Sequence, residues 1–421
     1  MIINRKVATT SIYNPTTGQT IHGAFVKETS TFDYKWFGIS EWEASIMDPQ
    51  HSLLLHRAWE CLHSAGYGSR ESLDRIRGSD FGVFVGVCSS DARVLGQSTR
   101  PLPLGTSFVS SIAANRISHT FGFTGPSLAI DTACAASLSA LHAACTSLRL
   151  RECSASLVGG ANVLLDPNGT ALLANMGMLS PDGECRVFDA GANGYVRGEG
   201  CGMVLLMPVS RARKEGRRIL AVIRSTTTNH NGTSATLTSP SSTAQTKLLQ
   251  KSLNVAKLRP KDITYLEAHG TGTALGDPIE VDAIEEVFGS QSADEGRSFP
   301  LVLGSVKANI GHLETGAGIA GLIKTVLVLE HAKAPGNAGL QTINPAFSYS
   351  HSQINIPRNA VSLESHCHGD HNLLCAAVSS FGFGGTNVNV VLQQYSQLPH
   401  MAGVECSVLF APINSAHERG S

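Results

Sequence analysis

The sequence predicts an α/β protein built of two halves, with sheets that are buried on both faces. First, short apolar runs such as FGVFVGV at 81–87 alternate with helical patterns such as 50–64, and strands covered on both faces read as continuous apolar runs. Second, 421 residues exceed the size at which one hydrophobic core usually stops growing. Third, a charged break, SRARKEGRR at 210–218, separates two stretches of this alternation.

The predicted elements follow in order on both sides of the break. The first half adds strands over 127–131, 154–165 and 200–209 and a helix over 135–150. The second half repeats the alternation of apolar runs and helical patterns. Its predicted strands are RILAVIRSTTTN, ITYLEAH, LVLGSVK, AAVSSFGFGG and NVNVVL, and its predicted helices lie over 244–256, 278–288 and 318–331. Forty-two glycines suit many tight turns between these elements.

Composition excludes several function classes. A net charge of −1 without a basic cluster or an acidic tail argues against nucleic acid or an anionic membrane as the main partner. No apolar stretch approaches the roughly 18 to 20 residues of a membrane span, and MIINRKVATTS lacks the apolar core of a secretory signal. The ten cysteines show no paired framework, so we expect reduced thiols in a cytoplasmic protein.

Cys134 is the candidate nucleophile. It lies in the pentad DTACA, after the apolar run 126–130 and before a helical stretch at 137–148. Unpaired N–H groups and the positive dipole end of a helix N-terminus stabilise a thiolate, so we expect a lowered pKa for this thiol. A buried cysteine is also a common small hydrophobe, so the neighbouring segments must decide.

Two further segments each deliver a histidine at a glycine-rich turn after an apolar run. They are ITYLEAHGTGTALGDPIE, with His269, and LVLGSVKANIGHLETGAGIAG, with Lys307 and His312. Histidines at strand ends also occur as plain structural residues. If the two strands end at the same edge, however, the imidazoles share one site.

The whole set of segments resembles one family, the β-ketoacyl synthases, from about residue 13 to about residue 394. The similarity is strongest to ketosynthase domains of type I polyketide synthases. The matching segments are FDYKWFGIS, MDPQHSLLLHRAWECLHSAGY, ANRISHTFGFTGPS, DTACAASLSALHAAC, GEGCGMVLL, HGTGTALGDPIE, GSVKANIGHLETGAGIAGLIKT and SSFGFGGTNVNVVL.

The resemblance implies a thiolase-like α/β fold, in which two related halves form a five-layer αβαβα sandwich with the site between them. The expected boundaries are 1–213 for the half with the nucleophile, 214–395 for the half with both histidines, and 396–421 for the start of a linker.

Family members begin with a strand of the type IAIVGM, which this sequence lacks at its start. A sheet without an interior strand leaves ladder N–H and C=O groups unpaired. We therefore expect either a truncated sequence or compensation by residues 1–10. The ending VLFAPINSAH resembles the opening of the linker that follows ketosynthases in multidomain synthases.

The implied reaction is a decarboxylative Claisen condensation. An acyl group on Cys134 condenses with a malonyl-type thioester on an acyl carrier protein, which gives a β-ketoacyl thioester in polyketide or fatty acid biosynthesis. Backbone N–H groups of Cys134 and Phe383 are expected to form the oxyanion hole, with Phe383 also gating the acyl pocket.

By the same resemblance His269 and His312 act as neutral donors to the enolate, and burial favours neutral imidazole. Lys307 orients the site, or else forms an ordinary structural ion pair. Thr271 and Thr273 match pantetheine-binding positions, although packing at a strand edge explains threonines as well. Asp277 and Glu280 suit a helix start and are interpreted as structural.

The resemblance also implies partners. We expect no cofactor bound by the chain itself, substrates on the phosphopantetheine of an acyl carrier protein, acyltransferase and reducing domains of a synthase, and a homodimer that pairs through 127–131. The alternative is a truncated or non-elongating ketosynthase that acts as an inactive scaffold or an acyl-transfer partner. Such proteins usually lose the nucleophile or the HGTGT histidine, and both are present here.

One cluster has the residue types of a zinc site. It is HCHGDH, with His366, Cys367, His368 and His371. Adjacent ligands do not match the separated pairs of a structural zinc site, so no metal is expected.

Overall fold

The computed structural model describes residues 10–14, 19–26, 32–88, 105–289, 298–349, 353–366, 373–395 and 406–410. Its helices are α1 (Glu41–Ile46), α2 (Pro49–Leu62), α3 (Arg70–Ile76), α4 (Ser110–Phe121), α5 (Ala136–Leu150), α6 (Pro167–Asn175), α7 (Val209–Lys214), α8 (Ser242–Ala256), α9 (Gly276–Phe288), α10 (Lys307–Ile310) and α11 (Ala317–His331). Its strands are β1 (Thr10–Asn14), β2 (Gln19–Ala24), β3 (Gly82–Gly86), β4 (Ser127–Ile130), β5 (Ser156–Asn162), β6 (Arg197–Gly198), β7 (Gly200–Pro208), β8 (Ala221–His230), β9 (Ile263–Glu267), β10 (Leu301–Gly304), β11 (Lys333–Ala334), β12 (Ile354–Asn355), β13 (Val361–Ser362), β14 (Cys375–Phe381), β15 (Thr386–Gln394) and β16 (Cys406–Phe410).

The predicted alternation of strands and helices is confirmed, with bounds that differ by a few residues. The largest difference is at the end of β14, predicted to reach residue 385 and observed over Cys375–Phe381. A capping side chain and a proline explain where α2 begins. The Asp48 carboxylate accepts from the Gln50 N–H at 2.8 Å at the start of α2, where Pro49 occupies the first position.

Eleven strands pair edge to edge in the order β12-β10-β9-β14-β15-β8-β16-β7-β5-β3-β4. The two ends of this order are built alike. In the first half β4, β3 and β5 are parallel and β7 is antiparallel to β5. In the second half β10, β9 and β14 are parallel, and β15 and then β8 follow antiparallel. The pairing directions therefore show the two halves as variants of one pattern.

β16 lies between β7 and β8 in the sheet order. It pairs antiparallel with β7, as β8 does with β15 in the other half, and it also pairs antiparallel with β8. Residues 1–9 lie outside the described residues, and β1 pairs with β2 in a separate small sheet with β6. Among the described residues, the strand that pairs with both β7 and β8 is therefore β16, and the two alternatives for the start of the sequence stay predictions.

Helices cover both faces of each half. α2 and α4 pack on one face of the first half, and α8 packs on β8 and β15 of the second half with α9 against it. α5 and α11 lie against each other and contact strands of both halves. Leu138 and Leu141 of α5 and Ile323 of α11 belong to the buried cluster that joins the halves. Each of these two central helices begins shortly after a segment that carries candidate site residues.

Candidate active site

The turn before α5 presents Cys134. After β4, the Asp131 carboxylate accepts from the Ala133 N–H at 2.9 Å. Ala133 takes a left-handed φ of 52°, a conformation that costs energy for a residue with a side chain. A short helical turn at Ala133–Ala135 leads into α5, whose start has no side-chain cap. The N–H groups of Ala133, Ala135 and Ala136 have local acceptors, whereas the Cys134 N–H acts on the sulfur of its own side chain.

The electrostatics of Cys134 differ from the expectation. The side chain is half-buried, and withdrawal of the thiolate from water together with the Glu314 carboxylate raises the pKa of the thiol to about 12. Lys307 and the backbone N–H groups of Phe383 and Cys134 act in the lowering direction. The predicted net lowering of this pKa is wrong because desolvation outweighs the donors at the helix start. The resting nucleophile is a protonated thiol.

The turn between β14 and β15 approaches Cys134 from the second half. The Ser380 hydroxyl donates to the Cys134 carbonyl at 2.7 Å. A Cβ on Gly382 would lie 2.4 Å from the Thr132 carbonyl oxygen, so only glycine allows this approach. The Phe383 N–H bonds to the Cys134 sulfur, and its ring is 49% exposed. The two predicted oxyanion-hole N–H groups therefore converge on one atom.

His269 follows β9 and faces the other histidine. Its ring centroid lies 5.6 Å from that of His312 and 5.4 Å from that of Phe381. Its Nδ1 is buried without a hydrogen-bond partner. Burial first, and then the positive charge of Lys307, hold the pKa of His269 well below its usual value. The imidazole is therefore neutral at physiological pH.

His312 has a defined tautomer. The Glu314 N–H donates to His312 Nδ1 at 3.0 Å, so the proton of the neutral ring is on Nε2. The backbone is fixed to β6, because the His312 N–H donates to the Val196 carbonyl at 2.7 Å and the Gly198 N–H donates to the His312 carbonyl at 2.8 Å. Burial, Lys307 and Arg197 hold the pKa of His312 well below its usual value.

Lys307 is buried at the first position of α10 and donates through Nζ to the His269 carbonyl at 2.6 Å. Burial lowers the pKa of Lys307, while Glu267 and Glu280 act to raise it. Its contact is with the main chain of His269, so Lys307 links its own segment, which also carries His312, to the segment of His269.

Two buried carboxylates hold the loop after β9. Glu280 accepts from the N–H groups of His269 and Gly270, both at 2.7 Å. Asp277 accepts from Thr271 at 3.1 Å and Gly272 at 3.0 Å. Burial raises the pKa of Glu280 to about 7 and that of Asp277 to about 6. Their contacts are thus with the loop that carries His269, in addition to their place at the start of α9.

The two threonines lie on this loop. Thr271 is buried and Thr273 is half-buried, with their hydroxyl oxygens 3.1 Å apart. Thr273 Oγ1 also accepts from the Gly276 N–H at 3.1 Å. Both hydroxyls therefore have local partners, and the packing alternative accounts for part of their environment.

Three functional neighbours were not predicted from the sequence. Arg197 and Glu314 form a two-bond ion pair at 2.6 and 3.0 Å beside His312, and Ser380 contacts the nucleophile turn as described. The signal for Glu314 was present, since it comes two residues after His312 in NIGHLE. Arg197 lies far from both in sequence, and only the fold brings it there.

The histidine-rich segment gives no metal site in the part of the chain that the structure describes. Among the described residues no group of three or more His, Cys, Asp or Glu side chains could hold a metal ion. Cys367, His368 and His371 lie outside the described residues, and His366 ends a short helical turn. Within the same described ranges, no helix is both long and apolar enough for a membrane span.

Comparison with known families identifies both parts of the chain. The N-terminal domain of β-ketoacyl synthase matches residues 5–212, and the C-terminal domain matches residues 220–341. These two matches together cover most of the chain and give the class, an acyl-group transferase.

Within that class, the relatives found by sequence are polyketide synthase proteins. The chain is 43% identical over 381 residues to a phenolphthiocerol/phthiocerol polyketide synthase protein of Mycobacterium tuberculosis, a match that covers 89% of this chain and 17% of that protein. It is 42% identical over 375 residues to a second protein of the phenolphthiocerol/phthiocerol polyketide synthase from the same species, covering 88% and 19%. It therefore spans about a fifth of the length of these curated relatives.

The solved structures that match this chain are also ketosynthases. A ketosynthase from module 6 of the bacillaene synthase of Bacillus subtilis matches with TM-score 0.85 and 32% identity, over 94% of this chain and 68% of that one. An oxazolomycin ketosynthase domain of Streptomyces albus matches with TM-score 0.82 and 37% identity, over 90% and 65%. The chain belongs to the β-ketoacyl synthase family, as a ketosynthase of the polyketide synthase type.

Proposed function

We propose that this chain catalyses the decarboxylative condensation of an acyl-cysteine intermediate with a malonyl-type thioester on an acyl carrier protein. The product is a β-ketoacyl thioester for polyketide biosynthesis. The observation that supports the proposal best is the grouping of two neutral imidazoles, the half-buried His269 and the buried His312, with Lys307, whose charge acts on both rings and on Cys134.

The first half-reaction loads the nucleophile. The sulfur of Cys134 attacks the carbonyl carbon of a carrier thioester, and its proton goes to the departing carrier thiolate, so the products are an acyl-cysteine and a free carrier thiol. The tetrahedral oxyanion is stabilised by the N–H groups of Cys134 and Phe383, which converge at the sulfur. Donors placed where negative charge develops are worth about 3 to 4 kcal/mol each.

The second half-reaction makes the carbon–carbon bond. Loss of carbon dioxide leaves an electron pair on the malonyl carbon as an enolate, whose oxygen accepts hydrogen bonds from His269 and His312. The enolate carbon attacks the acyl carbonyl and expels the Cys134 thiolate. Neutral imidazoles suit this task, and the lowered pKa values of both histidines support it. Lys307 would orient His269 through its carbonyl.

The remaining parts of the assignment follow from the family. Thr271 and Thr273 would bind the pantetheine arm that carries the substrates, and Phe383 would gate the acyl pocket. The halves would extend over 1–213 and 214–395 in a thiolase-like five-layer αβαβα sandwich, with a linker from 396 to 421. A cytoplasmic synthase with an acyltransferase and reducing domains, and a homodimeric ketosynthase, would be the setting.

The test of the first half-reaction is the intact mass of the protein after incubation with a short acyl-pantetheine thioester. We expect one acyl adduct in the unmodified chain and none in Cys134→Ala. Cys88→Ala, which changes another half-buried cysteine, is the matched control and should keep the adduct. Labelling that persists in Cys134→Ala would contradict the proposal. An adduct without later condensation would point to the acyl-transfer alternative.

A further inference from the structure

Four buried charges of alternating sign connect the central helix α11 with the loop that carries His269. They are Lys324 at 2%, Glu267 at 1%, Lys307 at 4% and Glu280 at 3% exposed. Lys307 and Glu280 contact the His269 backbone, as described above. Lys324 and Glu267 belong to none of the steps derived so far. Because isolated buried charges are very costly, their presence needs a reason.

Glu267 uses both of its carboxylate oxygens. Its Oε2 forms an ion pair with Lys324 Nζ at 2.9 Å and accepts from the Tyr265 hydroxyl at 2.5 Å. Its Oε1 accepts from the Val306 N–H at 2.5 Å. Val306 directly precedes Lys307. Glu267 therefore connects the end of β9 to the start of α10, whose first residue is Lys307.

The peptide of His269 is held from two sides by opposite charges. Lys307 Nζ donates to its carbonyl at 2.6 Å, and Glu280 accepts from its N–H at 2.7 Å. Glu267 is the carboxylate whose charge favours the cationic form of Lys307 most strongly, followed by Glu280. Lys307 thus has two carboxylates nearby, yet its Nζ donates its hydrogen bond to a neutral carbonyl oxygen, that of His269.

Stability alone does not account for the Glu267–Lys324 pair. Replacing a buried ion pair by apolar residues of similar volume is often neutral or stabilising, whereas removing one partner is strongly destabilising. A pair kept in the core next to a reaction site therefore suggests a role in that site. Lys324 neutralises Glu267, and this leaves Lys307 free to contact His269 rather than to form its own ion pair with Glu267.

We propose that Glu267 and Lys324 are positioning residues for the condensation step, which hold the cation of Lys307 at the His269 carbonyl. The inference rests on the proposed function, because the step that it serves is decarboxylation. Loading of Cys134 does not use the contact with the His269 carbonyl. Lys307 affects the thiol through its charge, which the variants of the pair leave in place, so loading should change little.

The test separates the two half-reactions in K324M and in the double variant E267Q/K324M. In the double variant, E267Q would retain an oxygen that accepts from the Val306 N–H. K324M would then remove the cation that E267Q alone would leave without its anionic partner. We expect K324M to lose at least about tenfold in carbon dioxide release from malonyl-pantetheine, while acylation of Cys134 stays within about twofold. The double variant should recover the melting temperature but not the decarboxylation rate. K333M, at an exposed lysine, is the matched control and should behave as the unmodified chain.

A double variant that decarboxylates at the unmodified rate would show that the pair is only structural and would overturn the proposal. A readout without catalysis is the ¹⁵Nζ signal of Lys307, assigned by its loss in K307M. We expect this signal to shift in the double variant, and an unchanged signal would also overturn the proposal. If the unmodified chain releases no carbon dioxide, the proposed function fails, and the lysine signal still decides whether the pair positions Lys307.

Discussion

At the residue scale, the charge state of each group follows from its surroundings more than from its sequence position. His312 lies between the cations Lys307 and Arg197, and both act with burial to keep the ring neutral. The Glu314 N–H then places the proton on Nε2. One backbone hydrogen bond therefore decides which nitrogen can donate to a substrate oxygen.

This tautomer gives a direct prediction. The ¹⁵N signals of His312, assigned with His312→Ala, should show an unprotonated Nδ1 and a protonated Nε2. The pattern should persist as the pH falls from about 8 to about 6, because a pKa below the usual value keeps the ring neutral at lower pH. An imidazolium pattern with a midpoint above about pH 6.5 would contradict the assigned electrostatics.

The sequence predicted which residues converge better than it predicted their chemistry. The motifs around Cys134, His269 and His312 marked them as candidates through the family resemblance, and their catalytic roles stay predictions. The pKa of Cys134 could not be predicted in the same way. It depends on desolvation and on Glu314, which comes from the second half of the chain, and no local pattern contains that information.

At the element scale, β16 is a strand that the sequence did not predict. Its segment was interpreted as linker because VLFAPINSAH resembles the start of one. An edge of β7 with unpaired N–H and C=O groups favours any extended apolar segment within reach. Val408 is fully buried, and its carbonyl accepts from the Leu220 N–H at 3.1 Å. Long-range pairing of this kind has no sequence signature.

We therefore expect Val408→Asp to destabilise the protein strongly. A buried carboxylate without a partner costs about 3 kcal/mol or more, and the melting temperature should fall by several degrees. Val255→Asp, at a half-exposed position of α8, is the control and should change little. Equal melting temperatures for the two variants would show that β16 does not pack in this sheet.

At the scale of the whole molecule, the proposed site combines residues from the two proposed halves. Cys134 comes from the first half, and His269, His312, Lys307 and Phe383 come from the second. α5 and α11 pack against each other in the shared core, so relative movement of the halves would separate the nucleophile from its donors.

The free edge of the sheet order offers a dimer contact. β4 stands at one end of the strand order, and Leu128 on it is 47% exposed. We expect a mass near twice the 44.4 kDa of the chain in sedimentation, and a shift to the monomer in Leu128→Asp because like charges would face each other across the two-fold axis. Leu150→Asp, at an exposed position outside β4, should remain dimeric. A monomeric unmodified chain would exclude this contact.

The most direct measurement is the mass of the product formed when protein acylated at Cys134 is mixed with malonyl-pantetheine. We expect a β-ketoacyl thioester extended by one malonyl-derived unit, released carbon dioxide and a free Cys134. We also expect His269→Ala and His312→Ala to accept the acyl group but to form no extended product. An acyl-cysteine that persists in the unmodified chain without product, or product formation in both histidine variants, would contradict the assigned condensation site.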